Sequence, residues 1–203
     1  VLVTKEQETF LKSKDVKDSK MLPHPKRIVL AKIIKENSLA NKVVKSSPNE
    51  IDSMLESGTN LNTLEAIKTA QIINETNTKE FQKEKIKVIV DCPSVNIIAW
   101  RTVLLEKISH KENLEVHCEH KADVNHPSVS AASILAKVTR EEEVEKIKKQ
   151  FGEIGSGYPS DPTTKEFLKK HGKELANSGI FRRTWKTWKE IFPSAKQKVL
   201  GDF

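Results

Sequence analysis

The run Ile86–Asp91, IKVIVD, constrains the fold of this chain more than any other stretch. It is almost entirely apolar and rich in β-branched residues, which suits a strand covered on both faces. It ends on a carboxylate, Asp91. A helical pattern follows from about Val95 to Ser109, then a second strand-like run, Leu114–Cys118. Strand, helix, strand at this spacing predicts a parallel βαβ unit. Ligands in open α/β sheets collect outside the carboxyl ends of the strands, so Asp91 stands where a hard cation could be held. The same residue could instead cap the following turn.

A second carboxylate, Asp123, precedes a helix predicted from Pro127 to about Phe151. Ser130, Ser133, Lys137 and Arg140 fall on one stripe of that helix, and Ala132, Leu135 and Val138 on another. A Ser/Lys/Arg stripe beside a carboxylate fits a metal site that handles phosphate. An ordinary amphipathic surface helix has the same pattern, and Asp123 could be a solvated loop residue. After Phe151 comes a Gly/Pro loop, GSGYPSDP, from Gly155 to Pro162, which presents Tyr158, the chain's single tyrosine. That residue could either contact a ligand or pack the loop onto the core.

Elsewhere the pattern predicts a strand tail at Val1–Val3, with Glu6 and Glu8 in a polar stretch after it. A polar loop is expected at Lys17–Lys20, a helix from Pro23/Pro25 to about Asn37, and a short strand at Lys42–Lys45. Asn60 is a candidate N-cap for a helix through Ile73, and further helices are expected at Pro162–Leu175 and Thr184–Ile191. Trp100, Trp185 and Trp188 read as core or tail anchors. The Gly/Pro loop suggests an α/β core over 1–151, with a substrate loop and helical tail over 152–203. The tail Phe192–Phe203 reads as a flexible end.

Composition narrows the classes. The 203 residues are 36% hydrophobic and 31% charged, with a formal charge of +7, a balance that suits a polyanionic partner such as nucleic acid. No apolar run approaches a membrane span, and Cys92 and Cys118 form no CxxC pair or disulfide framework. A cytoplasmic, monomeric protein with reduced thiols is the expectation. His120 and His126 flank Asp123 without zinc-ligand spacing.

Several runs together resemble ribonuclease HII, in its archaeal-type version. EHKADVNHPSVSAASILAKVTR from Glu119 is similar to the family's block around its last catalytic Asp, and VIVDCPSVN from Val88 to the strand ending at the preceding one. VKDSKML from Val16 resembles the KDSKKL loop, and GTNLNTLEA from Gly58 the substrate-facing helix start. GSGYPSDPTTKEFL from Gly155 resembles the loop with the substrate tyrosine, and FRRTWKTWKEI from Phe181 the closing segment. The resemblance implies an α/β fold: a ribonuclease H-like mixed sheet flanked by helices, with a helical C-terminal tail. It implies a metal-dependent endonuclease that cuts RNA in RNA–DNA duplexes on the 5′ side of a ribonucleotide, leaving 3′-hydroxyl and 5′-phosphate ends. Embedded ribonucleotides in duplex DNA are substrates in this reading, and Mg²⁺ or Mn²⁺ the cofactor, two cations suiting in-line displacement. Asp91 and Asp123 would be catalytic metal ligands. Tyr158 would stack on the sugar beside the ribonucleotide, and Lys20, Lys121 and Arg140 would contact phosphates.

One departure stands out. The family opens on a strand carrying Asp-Glu-Ala-Gly-Arg-Gly, whose acids supply two further ligands, and the motif is absent from these 203 residues. Glu6 and Glu8 do not match it, whereas Val1–Val3 matches the end of the family's second strand. The expectation is therefore a hairpin upstream. Without it, the alternative is a hybrid-binding module that does not cut.

Overall fold

The computed structural model describes residues 1–16 and 19–193, so Lys17 and Asp18 of the KDSK run and the tail from 194 onward lie outside the described residues. In chain order the helices are α1 (Lys5–Ser13), α2 (His24–Glu36), α3 (Pro48–Glu56), α4 (Leu61–Thr76), α5 (Ile97–Lys107), α6 (Ala122–Asn125), α7 (Pro127–Phe151), α8 (Pro162–His171) and α9 (Lys186–Ile191). The strands are β1 (Ile86–Asp91) and β2 (Leu114–Glu119).

The predicted βαβ unit is present. β1 and β2 pair in parallel, from Ile86 opposite Leu114 to Asp91 opposite Glu119. The Cys92 amide carries the ladder one residue further, donating to the Glu119 carbonyl at 2.9 Å. α5 crosses between the strands. Asn96 starts it by accepting from the Ala99 amide at 3.0 Å, satisfying a backbone donor that has no partner within the helix. Arg101 on α5 donates to the Val116 carbonyl at 3.1 Å, covering part of β2. Among the described residues the sheet has these two strands, and a separate antiparallel bridge pairs Leu2 with Ala40. β1 is half-buried along most of its length, despite its mostly apolar sequence.

Two compact units emerge. The first comprises Val1–Val44 and Asn62–Arg140; the second comprises Lys45–Leu61 and the chain from Glu141. The first holds two apolar clusters. In one, Leu11, Leu30, Ala31 and Ile34 meet Ala131, Ile134, Leu135 and Val138 of α7. In the other, Ala66, Ala70 and Ile73 of α4 meet Trp100 and Leu104 of α5 and Val116 of β2. The spacing of three and four residues puts each set on one helical stripe. Trp100 is a true core residue, its indole N–H donating to the Asn62 carbonyl at 2.8 Å. Truncating the fully buried Leu104 to Ala would cost about 2–5 kcal/mol.

In the second unit Ser47 and Pro48 start α3, with the Glu50 amide donating to the Ser47 hydroxyl at 3.1 Å. Phe167, Phe181, Trp188 and Phe192 form a chain of tilted rings with centroids 6.2, 5.5 and 4.8 Å apart. Asp52, 3% exposed on α3, accepts from the Arg183 amide at 2.6 Å, the Thr184 amide at 3.1 Å and the Thr184 hydroxyl at 2.5 Å. A buried carboxylate is tolerable when satisfied in this way.

The structure departs from the sequence reading locally. The stretch containing Glu6 and Glu8 is helix α1, held by a capping box between Thr4 and Gln7. α3 and the short α6 fall where no helix was predicted, and Lys42–Lys45 is not a strand. On α7, ion pairs form three residues apart, Glu143–Lys146 and Glu145–Lys148 among them.

Candidate functional site

The carboxyl ends of β1 and β2 carry the first candidate region. After Glu119 the chain turns through Lys121, which sits in the left-handed region at φ 59°, and enters α6. A non-glycine residue there costs on the order of 1–3 kcal/mol, so the surrounding structure must hold the turn in place. The turn points the Ala122 amide at β1, where it donates to the Asp91 Oδ1 at 3.2 Å. Asp123 is the next residue, so a single turn of α6 ties the two carboxylates to one strand end.

Their surroundings differ. Asp91 is exposed, whereas Asp123 is 4% exposed, which removes the reading of Asp123 as a solvated loop residue. The buried Ser130 hydroxyl donates to the Asp123 carbonyl, and Ser133 pairs with the buried Ser19 at 2.8 Å. Ser130 thus braces backbone, and Ser133 a neighbouring hydroxyl. Lys20, beside Ser19, brings its ammonium to 3.9 Å from Asp123 Oδ2. Lys121 is exposed and Arg140 half-buried at the far end of the stripe. His120 Nδ1 bonds the Cys92 carbonyl at 3.0 Å, and His126 Nε2 bonds Glu119 at 2.8 Å. Burial pushes the Cys118 thiol above its ordinary range, with the Cys92 thiol adding to the shift, as suits structural rather than reactive cysteines.

Oxygen donors from two carboxylates match a hard divalent cation, and a lysine ammonium already lies beside one of them. Among the described residues no three His, Cys, Asp or Glu side chains gather as a metal-holding group. Asp91 and Asp123 therefore fit a divalent cation as part of a ligand set.

The second region is the Gly155–Pro162 loop. Asp161 organises it. Its Oδ2 accepts from the Ser156 amide at 2.6 Å and its Oδ1 from the Thr163 amide at 2.9 Å, capping α8 ahead of Pro162. Thr164 adds a second pin. It accepts from the Gly157 amide at 3.0 Å and donates to the Ile154 carbonyl at 2.8 Å. The Ser156 bonds draw the Asp161 carboxyl down to about 2. Gly155 has φ +70°, and an added Cβ would come within 2.6 Å of Asp161 Oδ2 and 2.8 Å of Thr164 Oγ1. Only glycine fits. The loop consumes its own polar groups and leaves the Tyr158 ring 47% exposed. Sequence reasoning did not single out Asp161 or Thr164, although an Asp-Pro pair before a helical run is a legible start signal.

The ribonuclease HII profile matches residues 1–188. This chain belongs to the ribonuclease HII family. It is 41% identical over 202 residues to ribonuclease HII of Pyrococcus furiosus, covering 98% of this chain and 84% of that protein. Among solved structures it is similar to the ribonuclease H2 of Pyrococcus horikoshii, with a TM-score of 0.80, 37% identity, and 93% of this chain and 85% of that one covered. It is also similar to a ribonuclease HII of Archaeoglobus fulgidus solved in complex with PCNA, with a TM-score of 0.76, 36% identity, and coverage of 97% and 87%. The ribonuclease H-like α/β class expected from the sequence is thereby established, and with it membership in a family of endoribonucleases. No helix among the described residues is long and apolar enough to cross a membrane.

Proposed function

We propose that this ribonuclease HII hydrolyses RNA in RNA–DNA duplexes, and single ribonucleotides embedded in duplex DNA, on the 5′ side of the ribonucleotide. The products would carry 3′-hydroxyl and 5′-phosphate ends. The observation that carries the reading is the Ala122 amide on Asp91, which ties Asp91 and Asp123 to one strand end.

In this mechanism Asp91 and Asp123 would hold Mg²⁺ or Mn²⁺ through carboxylate oxygens, and the bound cation would supply Lewis acidity at the phosphate. The buried position of Asp123 fixes its carboxylate, and the exposed Asp91 faces incoming substrate. Lys20, Lys121 and Arg140 take phosphates, setting register and salt dependence rather than sequence choice. Tyr158 stacks on the sugar next to the ribonucleotide. Residues 1–151 then act as the catalytic core, and 152–203 as substrate loop and helical region. The protein works as a monomer, and the Archaeoglobus relative suggests a sliding clamp of the PCNA type as partner.

The test is cleavage of a DNA duplex holding one ribonucleotide, with and without Mg²⁺, by protein whose N-terminus is defined by mass. Metal-dependent cutting 5′ of the ribonucleotide is the expected result. Binding without cutting by protein that carries the acidic strand would sink the nuclease reading and leave the hybrid-binding module.

A further inference from the structure

Of the three tryptophans, one is unlike the others. Trp100 is buried with its N–H bonded, and Trp188 is half-buried between Phe181 and Phe192. Trp185 is 41% exposed, the least buried of the three. Exposed indole is costly unless something covers it, and Trp is among the residues that most often anchor a partner.

The structure around Trp185 is built to hold it still. The Arg182 guanidinium carbon lies 3.9 Å from its ring centroid, covering one face. Such a stack fixes the indole and keeps a positive charge beside it. Asp52 pins the two residues between them through both amides and the Thr184 hydroxyl. A buried carboxylate committed to three donors is a strong device to spend on a surface turn. Trp185 and Arg182 also line a cavity of about 140 Å³ whose other wall includes Gly157 and Pro159, the residues on either side of Tyr158. Trp185 and the two residues that bracket the exposed Tyr158 therefore border one apolar hollow. Exposed cations Arg183, Lys186 and Lys189 lie on either side of Trp185 in the sequence.

We propose that Trp185, backed by Arg182 and pinned by Asp52, is a second nucleic-acid contact that stacks on a sugar of the duplex beside the Tyr158 loop. The occupant is the substrate duplex, because a rigid aromatic face amid cations matches a polyanion whose partly apolar sugar faces are exposed between its phosphates. Arg183 and Lys186 take the neighbouring phosphates, although Lys186 also pairs with Glu190 at 3.6 Å. The assignment rests on the proposed function and names a further part of its binding surface.

The test uses the full-length protein and a labelled DNA duplex with one ribonucleotide. Trp185→Ala should raise Kd and KM roughly tenfold and leave kcat within roughly twofold, with Trp185→Phe recovering most of the loss. Thermal unfolding checks that each variant folds. Fluorine NMR of otherwise unaltered protein carrying fluorotryptophan gives an independent readout. Duplex should shift the residue 185 signal and leave Trp100 in place. Wild-type Kd and KM in Trp185→Ala, or an unmoved residue 185 signal under saturating duplex, would overturn the proposal while an active wild-type enzyme leaves the functional reading standing. A wild-type protein that neither binds nor cuts the duplex would overturn both.

Discussion

The carboxylate region at the ends of β1 and β2 and the loop from Gly155 to Pro162 use polar groups in opposite ways. Around Asp91 and Asp123, backbone donors and serine hydroxyls do the positioning. One amide reaches Asp91, and Ser130 holds the Asp123 carbonyl rather than its carboxylate. On the proposed function, the remaining carboxylate oxygens would serve a cation. In the loop, Asp161 and Thr164 spend their side chains on neighbouring backbone, and the Tyr158 ring is left exposed. A site for chemistry needs oxygens free to coordinate, whereas a site for shape recognition needs a loop that does not yield.

This contrast can be broken at either end. The largest effect is expected from Asp91→Asn or Asp123→Asn. Each should lower kcat on a single-ribonucleotide duplex about a thousandfold, since several kcal/mol of transition-state stabilisation depend on the carboxylates. Duplex binding without metal should persist, and a gel-shift measurement checks it. Next comes Tyr158→Ala, expected to lower kcat/KM on that substrate by about 10- to 100-fold through lost stacking. Gly155→Ala should mimic it at about tenfold while leaving metal affinity intact, because the added methyl strikes Asp161 and Thr164 at a positive φ. Equal loss of metal binding in Gly155→Ala would blur the distinction between the regions.

Two smaller effects sharpen it. Lys121→Ala and Arg140→Ala should each reduce the log–log salt slope of duplex binding by about 1, in a titration of affinity against salt. The loop also has its own acid limit. Asp161 falls from its ordinary 3.8 to about 2 in the folded loop, so the bonds it makes favour folding above the ordinary value. That contribution fades as pH drops from about 4 to about 2. Hydrogen exchange at the Ser156 and Thr163 amides should accelerate over that window, and Asp161→Asn should remove the pH dependence.

The sequence by itself determined the βαβ unit, because an apolar β-branched run, a helical stripe and a second such run admit few other arrangements. It also marked Asp91, Asp123 and Tyr158 through long motifs, and α7 from Pro127 to Phe151 through its periodicity. α1 was missed because its stripe is short and mostly polar, so the Thr4–Gln7 capping box outweighs its apolar content. Only the tertiary structure decided that Asp123 is buried, since burial depends on what packs over a residue and not on its neighbours in sequence. It alone decided that Lys45–Leu61 folds with the chain beyond Glu141, through the bonds of Asp52 to Arg183 and Thr184. No local pattern encodes a hydrogen bond between residues so far apart, and the same is true of the exposed indole of Trp185. Periodicity specifies which face of an element is apolar; the partner that covers it, or leaves it bare, is chosen when distant segments meet.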